Sequence, residues 1–233
     1  MACYTPAMKT LIYLIIAILV IWLGYNYFTK DSTPVAVDDK KDDAVTTGDT
    51  SAEVVAGTYQ IVANETKAEW TGSKTLIKDY YDTGSIMIKS GNLIVAEDKV
   101  TAGEIIFDMA SIAAVTTGRG DGQDKLSSHL KSPDFFDAVK YPEAKFVVKG
   151  MFYAVDKWML NGDLTIKATT SPISIPVTLG MEGGNLVLAG EAKVDRTIWD
   201  VRYGSGKFFK ELGDKVINDI FTLKFKVVGK VNS

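Results

Sequence analysis

His129 is the single histidine of this 233-residue chain, so a Ser-His-Asp or Cys-His relay would have to be built around it. Ser127 and Ser128 precede it directly, but near neighbours on a helix do not face each other, and His129 reads as a rim or solvent-facing residue. Zinc would need further His or Cys ligands at suitable spacing, and Cys3 is the one cysteine. The run GDGQD at 120–124 lacks the spacing of an EF-hand, and DDKKDD at 38–43 lacks the glycine-turned loop that fixes carboxylates on a cation. The tripeptide Arg119-Gly120-Asp121 lies between glycines that require only a flexible loop. No enzyme, metal centre or cofactor is expected from these residues.

The densest mixed-charge group is Asp195, Arg196, Asp200 and Arg202 in VDRTIWDVRYG. A guanidinium pairs bidentately with phosphate or carboxylate, which makes Arg196 a candidate for holding the polar head of an amphiphilic ligand. An Arg-Asp pair that fixes strand geometry is the simpler account of the same residues.

The elements that must position these groups are strands. After Gly57 the apolar residues recur with period two, the mark of strands with one buried face. Ala68 and Trp70 share a phase, as do Ile105, Phe107 and Met109; Phe146, Val148, Trp158, Leu160, Leu164, Ile166, Ile175, Val177 and Leu179 continue it, and Leu186, Leu188, Val194, Phe221, Leu223, Phe225 and Val227 close the series. Turns are expected at NGD, 161–163, and at EGGN, 182–185, the latter as a hairpin. Roughly eight to ten strands, mostly antiparallel neighbours, result. So many one-sided strands must stack as two sheets or close on themselves, and closure removes exposed edges. Short helical segments are expected within DGQDKLSSHLKSPDFF, 121–136, and GSGKFFKELGDK, 204–215.

Upstream the composition changes twice. Residues 10–29 carry no charge and include LIYLIIAILVIWLGYNYF, long enough to cross a bilayer as a helix, which takes ~20 mostly apolar residues. Its aromatic end suits an interfacial belt better than a signal-peptidase site, so a retained signal-anchor is expected, with residues 1–9 cytoplasmic. Residues 30–56 are rich in Asp, Thr, Ser and Ala without an aromatic residue, and read as an acidic flexible linker. Residues 57–233 form the expected barrel domain. The formal net charge is −3 with no basic stripe, which excludes nucleic acid as an expected partner.

One stretch is too polar for a core strand and too aromatic for an ordinary loop: KSPDFFDAVKYPEAKF, 131–146, in which Pro133 and Pro142 interrupt any helix. The string HLKSPDFFDAVKYPEAKFVV, followed by LNGDLTIKATTSPISIPV and by VDRTIWDVRYG and LGDKVINDIFTLKFKVVG, resembles the YceI family of bacterial lipid-binding proteins. AEWTGSK and DMASI extend the resemblance, which runs from Tyr59 to Gly229. It implies an all-β, extended, lipocalin-like antiparallel barrel in an exported protein, holding an isoprenoid or quinone-type lipid. The anchor and linker depart from the cleaved signal peptide of many members, and IKATTSP departs from a common Gly-Val-Thr run.

On that resemblance the lumen candidates are Trp70, Ile105, Phe107, Phe146, Val148, Leu164, Ile166, Val177, Leu179, Leu223 and Phe225. Phe135, Phe136 and Tyr141 are rim or lid aromatics, or a plug of ordinary core. The expected role is non-enzymatic binding, storage or transport of a long-chain isoprenoid or other amphiphile, with the domain tethered to the outer face of the cytoplasmic membrane. The alternative is an interaction or structural module that binds a partner protein through its mouth loops, its barrel filled by Trp70, Phe107, Phe146, Trp158 and Phe225 meeting at its centre. A second copy of the chain, as a homodimer, and an unidentified protein remain open as partners.

Overall fold

The computed structural model describes residues 53–231, so the anchor at 10–29 and nearly all of the linker at 30–56 lie outside the described residues. Among the described residues no helix is long and apolar enough to cross a membrane. The period-two pattern becomes nine strands: β1 Gly57–Ile61, β2 Lys67–Ser73, β3 Tyr81–Ala96, β4 Lys99–Thr116, β5 Glu143–Ala154, β6 Lys157–Ile166, β7 Thr169–Glu182, β8 Asn185–Asp195 and β9 Ile220–Val231. Among the described residues one α-helix, α1, spans Gln123–Lys131 between β4 and β5.

Each strand from β2 to β9 pairs antiparallel with its successor, and β9 returns to β2. β1 occupies the same slot as β2. Tyr59 of β1 pairs with Leu93 and Val231, while Trp70 of β2 pairs with Gly84 and Leu223, so β1 and β2 are one stave broken by a 3-10 turn at Ala63–Glu65. The result is an eight-stave closed antiparallel barrel that leaves no long unpaired edge.

Hairpin chemistry accounts for the connections. Gly183 and Gly184, both at positive φ, join β7 to β8 as EGGN predicts. Glu97-Asp98 and Val155-Asp156 adopt the same two-residue positive-φ turn without a glycine. NGD, by contrast, is no turn: β6 runs straight through Asn161–Asp163, and the chain reverses at Lys167-Ala168. Gly162 instead lies beneath the ring of Phe146, where a Cβ would come within 2.5 Å of the ring and 2.4 Å of the Val147 carbonyl oxygen. Of the segment 204–215, only Gly213–Lys215 forms a helical turn, and it is 3-10.

Packing differs between the barrel's two ends. At the end carrying β1, Tyr59, Leu93, Val100, Leu186 and Leu188 are wholly withdrawn from water and fill the interior. The opposite end lies beneath α1, and there the packing opens.

Candidate functional site

A cavity of ≈140 Å³ occupies the barrel beneath α1. Strand alternation delivers Trp70, Ile86, Phe107, Met109, Leu164, Ile166, Val194 and Leu223 to its wall. The helix contributes Leu126 and Leu130, one turn apart on one face, and the segment after it contributes Phe135 and Phe136. A smaller apolar cavity of ≈40 Å³ lies against it, sharing Phe107, Leu164, Val194 and Leu223 and adding Ile105, Phe146 and Phe225.

Three interior aromatics explain why space remains. Trp70 is paired with Gly84 across β2 and β3, and a Cβ on that glycine would lie 2.4 Å from the indole. Phe225 is paired with Gly190 across β9 and β8, with the corresponding separation 2.9 Å. Phe146 lies over Gly162 in the same way. Each ring rests against the backbone of a neighbouring strand, in the space that a side chain would have taken. The rings therefore flank the two cavities. Trp158 lines neither and packs edge-on against Tyr153, ring centres 5.3 Å apart, so the five large residues do not form a central plug.

Eleven of the fifteen binding candidates read from the sequence line the two cavities: Trp70, Ile105, Phe107, Phe135, Phe136, Phe146, Leu164, Ile166, Arg196, Leu223 and Phe225. Val148 and Val177 are buried but line neither cavity, and Leu179 is half-buried against the same core. Tyr141 lies half-buried in the loop before β5, with the Lys140 ammonium 5.1 Å from its ring centre. Sequence reasoning missed Leu126 and Leu130, whose i, i+4 spacing on α1 was a legible signal, and Ile86 and Ile112, whose phase is blurred by register shifts between β3 and β4.

Polar groups gather at the cavity's outer end: Ser73, Asp82, Arg196 and Asn218. Arg196 is buried, and burial pulls its guanidinium pKa down against the opposing pull of Asp219 and Asp195. Its Nε donates to the Asn218 carbonyl, Nη1 to the carbonyls of Val201 and Tyr203, and Nη2 to the Ile217 carbonyl and Asp219 Oδ1. Those acceptors engage the donor capacity of a guanidinium, so the head-group role expected for Arg196 finds no free N–H. Arg196 instead fastens the 196–203 turn to the entry of β9. Asp200 pairs with Arg202 at 2.6 Å on the surface, and Asp195 with Lys207 at 2.7 Å.

His129 belongs to the cover of the cavity. Its ring meets Phe135 and Tyr203 edge-on at 4.9 and 4.6 Å, and its Nε2 lies 3.1 Å from Asp134 Oδ2. Ser127 Oγ is turned elsewhere, donating to the Gln123 carbonyl and accepting from Ala114 N–H, so no Ser-His pair forms. The segment 131–146 is thereby placed: Phe135 is buried under this cluster, the backbone N–H groups of Phe136 and Ala138 return to the carbonyls of Leu130 and Lys131, and Met109 N–H bonds to the Pro142 carbonyl. It ties the end of α1 to the start of β5.

A family model described as a YceI-like domain matches residues 59–229. A UPF0312 protein of Photorhabdus laumondii is 38% identical over 72 residues, 31% of this chain and 35% of that protein. Protein YceI of Escherichia coli is 29% identical over 76 residues, 33% of this chain and 40% of its own length. In both, the matched stretch spans less than half of the relative. Among solved structures, Burkholderia cenocepacia BcnA superposes with a TM-score of 0.57 at 22% identity, over 73% of this chain and 99% of that one. A polyisoprenoid binding domain from Saccharophagus degradans, implicated in plant cell wall breakdown, superposes with a TM-score of 0.56 at 12% identity, over 75% and 98%. At these identities the likeness is one of fold.

Proposed function

The chain belongs to the YceI-like domain family, and from that premise we propose that it binds an isoprenoid or other long-chain amphiphile in its barrel without catalysing a reaction on it. The observation that carries this reading is the ≈140 Å³ cavity, with an almost wholly apolar wall, at the end of a barrel whose other end is filled. A cavity of about 150 Å³ lined by apolar side chains is large enough to take up benzene. The space thus matches one ring or one branched terminal unit of a ligand, and a longer chain extends past it beneath α1 or displaces the cover. Each methylene withdrawn from water contributes ~0.8 kcal/mol, so a five-carbon unit alone supplies about 4 kcal/mol before the cost of ordering it.

The same proposal extends to the segment at 10–29, which we take as a single-pass anchor holding the domain on the outer side of the cytoplasmic membrane. Tethering would keep the barrel close to the bilayer that stores such ligands.

Native mass spectrometry with lipid extraction, on the full chain purified gently from the cell that makes it, tests the binding proposal. The expected result is a stoichiometric, non-covalent lipid on the barrel. A clean apo mass that persists after incubation with polyprenyl and quinone lipids overturns it.

A further inference from the structure

The connections at the two ends of the barrel differ in length and in charge. At the filled end they are the two-residue turns 97–98, 155–156 and 183–184, which contribute Glu97, Asp98 and Asp156 and no Lys or Arg. At the α1 end they are 74–80, 117–142, 167–168 and 196–219, which together hold twelve Lys and Arg against nine Asp and Glu. The mouth is thus the basic end of a chain whose net charge is −3.

The connection 196–219 presents Lys207-Phe208-Phe209-Lys210 to solvent, with Phe208 44% and Phe209 48% exposed. Neither ring is on a loose end. Both N–H groups donate to the carbonyl of Ser205, at 3.2 and 3.1 Å, and Ser205 is wholly buried, its own N–H bonded to the Arg202 carbonyl. This turn therefore holds two large apolar side chains in water, where each forgoes the free energy of burial. Cations surround them: the Arg202 guanidinium lies 4.7 Å from the Phe208 ring centre, Lys207 is fixed by Asp195, and exposed Lys210 enters no ion pair among the described residues. The same turn adjoins the cavity, since the Tyr203 ring meets His129 and Gly204 lies against Ile217 of the cavity wall.

Aromatic rings flanked by Lys and Arg suit the interface of an anionic bilayer, where the rings enter the headgroup region and the cations meet phosphate. Exposed apolar residues also occur near the filled end, Tyr153 and Val155 among them, but the carboxylates of its turns are repelled by such a surface. Charge selects the mouth. We propose that the 207–210 turn docks the mouth of the barrel on an anionic lipid surface, with Phe208 and Phe209 entering it. This goes beyond the lipid-binding reading and stands whether or not the cavity is occupied.

The test places benzoylphenylalanine, a photocrosslinking side chain, at Phe208 or, as the control, at Tyr153, in the full chain reconstituted into vesicles of equal parts phosphatidylcholine and phosphatidylglycerol. Both probes ride on one domain, so any tether acts on them alike. Mass spectrometry of the adducts is expected to show about tenfold more phospholipid on the Phe208 probe than on the Tyr153 probe, and a fall to the control level in phosphatidylcholine alone. Equal yields at the two positions, or a Phe208 yield that does not depend on phosphatidylglycerol, overturn the proposal. So does a second copy of the chain as the main adduct at Phe208. Should that protein not fold, Phe209 carries the probe under the same criteria. Each of these failures leaves the cavity reading intact, because lipid extraction tests it separately.

Discussion

The guanidinium of Arg196 donates to the carbonyl oxygen of Tyr203 across 2.8 Å. With its other bonds this makes one buried side chain the common fastener of residues 201, 203, 217, 218 and 219, the two runs that frame the outer end of the cavity. A lysine presents three donors from a single point and cannot reproduce that fork. Arg196→Lys is therefore expected to leave at least one buried carbonyl unpaired and to lower stability by about 2 kcal/mol, measured by urea denaturation. Wild-type stability in this variant would contradict the fastener role.

Gly162→Ala places a methyl group against the Phe146 ring and the Val147 carbonyl. Overpacking of this kind costs about 1–3 kcal/mol. Because only the ring can yield, adding Phe146→Leu should recover part of the loss, and the double variant should be more stable than the two single losses add up to. Strict additivity in chemical denaturation would mean that the ring is not what the methyl group meets.

Val155 holds φ +48° in the β5–β6 turn and is 86% exposed, so its side chain gains little from packing. A β-branched residue in the left-handed region is strained by roughly 1–2 kcal/mol, and asparagine tolerates that conformation. Val155→Asn is expected to raise stability by about 1 kcal/mol, read as a higher Tm.

Acid should loosen the loop around Asp195. Burial alone would push its carboxyl up, but the Lys207 ammonium and the hydroxyl and N–H of Thr197 together outweigh that and hold it below the usual aspartate range. A lowered folded-state pKa means that the unfolded chain binds the proton first, so this contribution is complete above the ordinary aspartate value of ~3.9 and fades as pH falls through the folded value. The Tm of Asp195→Asn should lie below that of the wild type at neutral pH, and the gap should narrow below about pH 4. A gap of constant size down to pH 2 would exclude the linkage.

The barrel was legible because alternation is a local signal: Trp70, Phe107, Phe146, Leu164 and Phe225 announced their buried face through their neighbours in sequence. The glycines were harder to read. Gly162 beside Asn161 and Asp163 has the composition of a turn, and its actual role depends on Phe146 across the strand pair, which no local pattern encodes. Arg196 shows the same limit. Its adjacent carboxylate suggested a local pair, whereas its acceptors are mostly backbone carbonyls, and a carbonyl has no residue type to read. Val148 and Val177 share the inward phase of the cavity residues, yet alternation reports which face is buried and not how far along the axis the space lies.

Gly84, Gly162 and Gly190 carry a consequence for how such a barrel can change. Its hollow is sustained by three missing side chains in the wall, each of which gives an aromatic ring somewhere to lie. A methyl group at any of them would meet not only a ring but, closer still, the carbonyl oxygen of Ala113, Val147 or Pro176, so the hollow is guarded by backbone as well as by side chains. The shape of the container is then set in part at positions outside its lining.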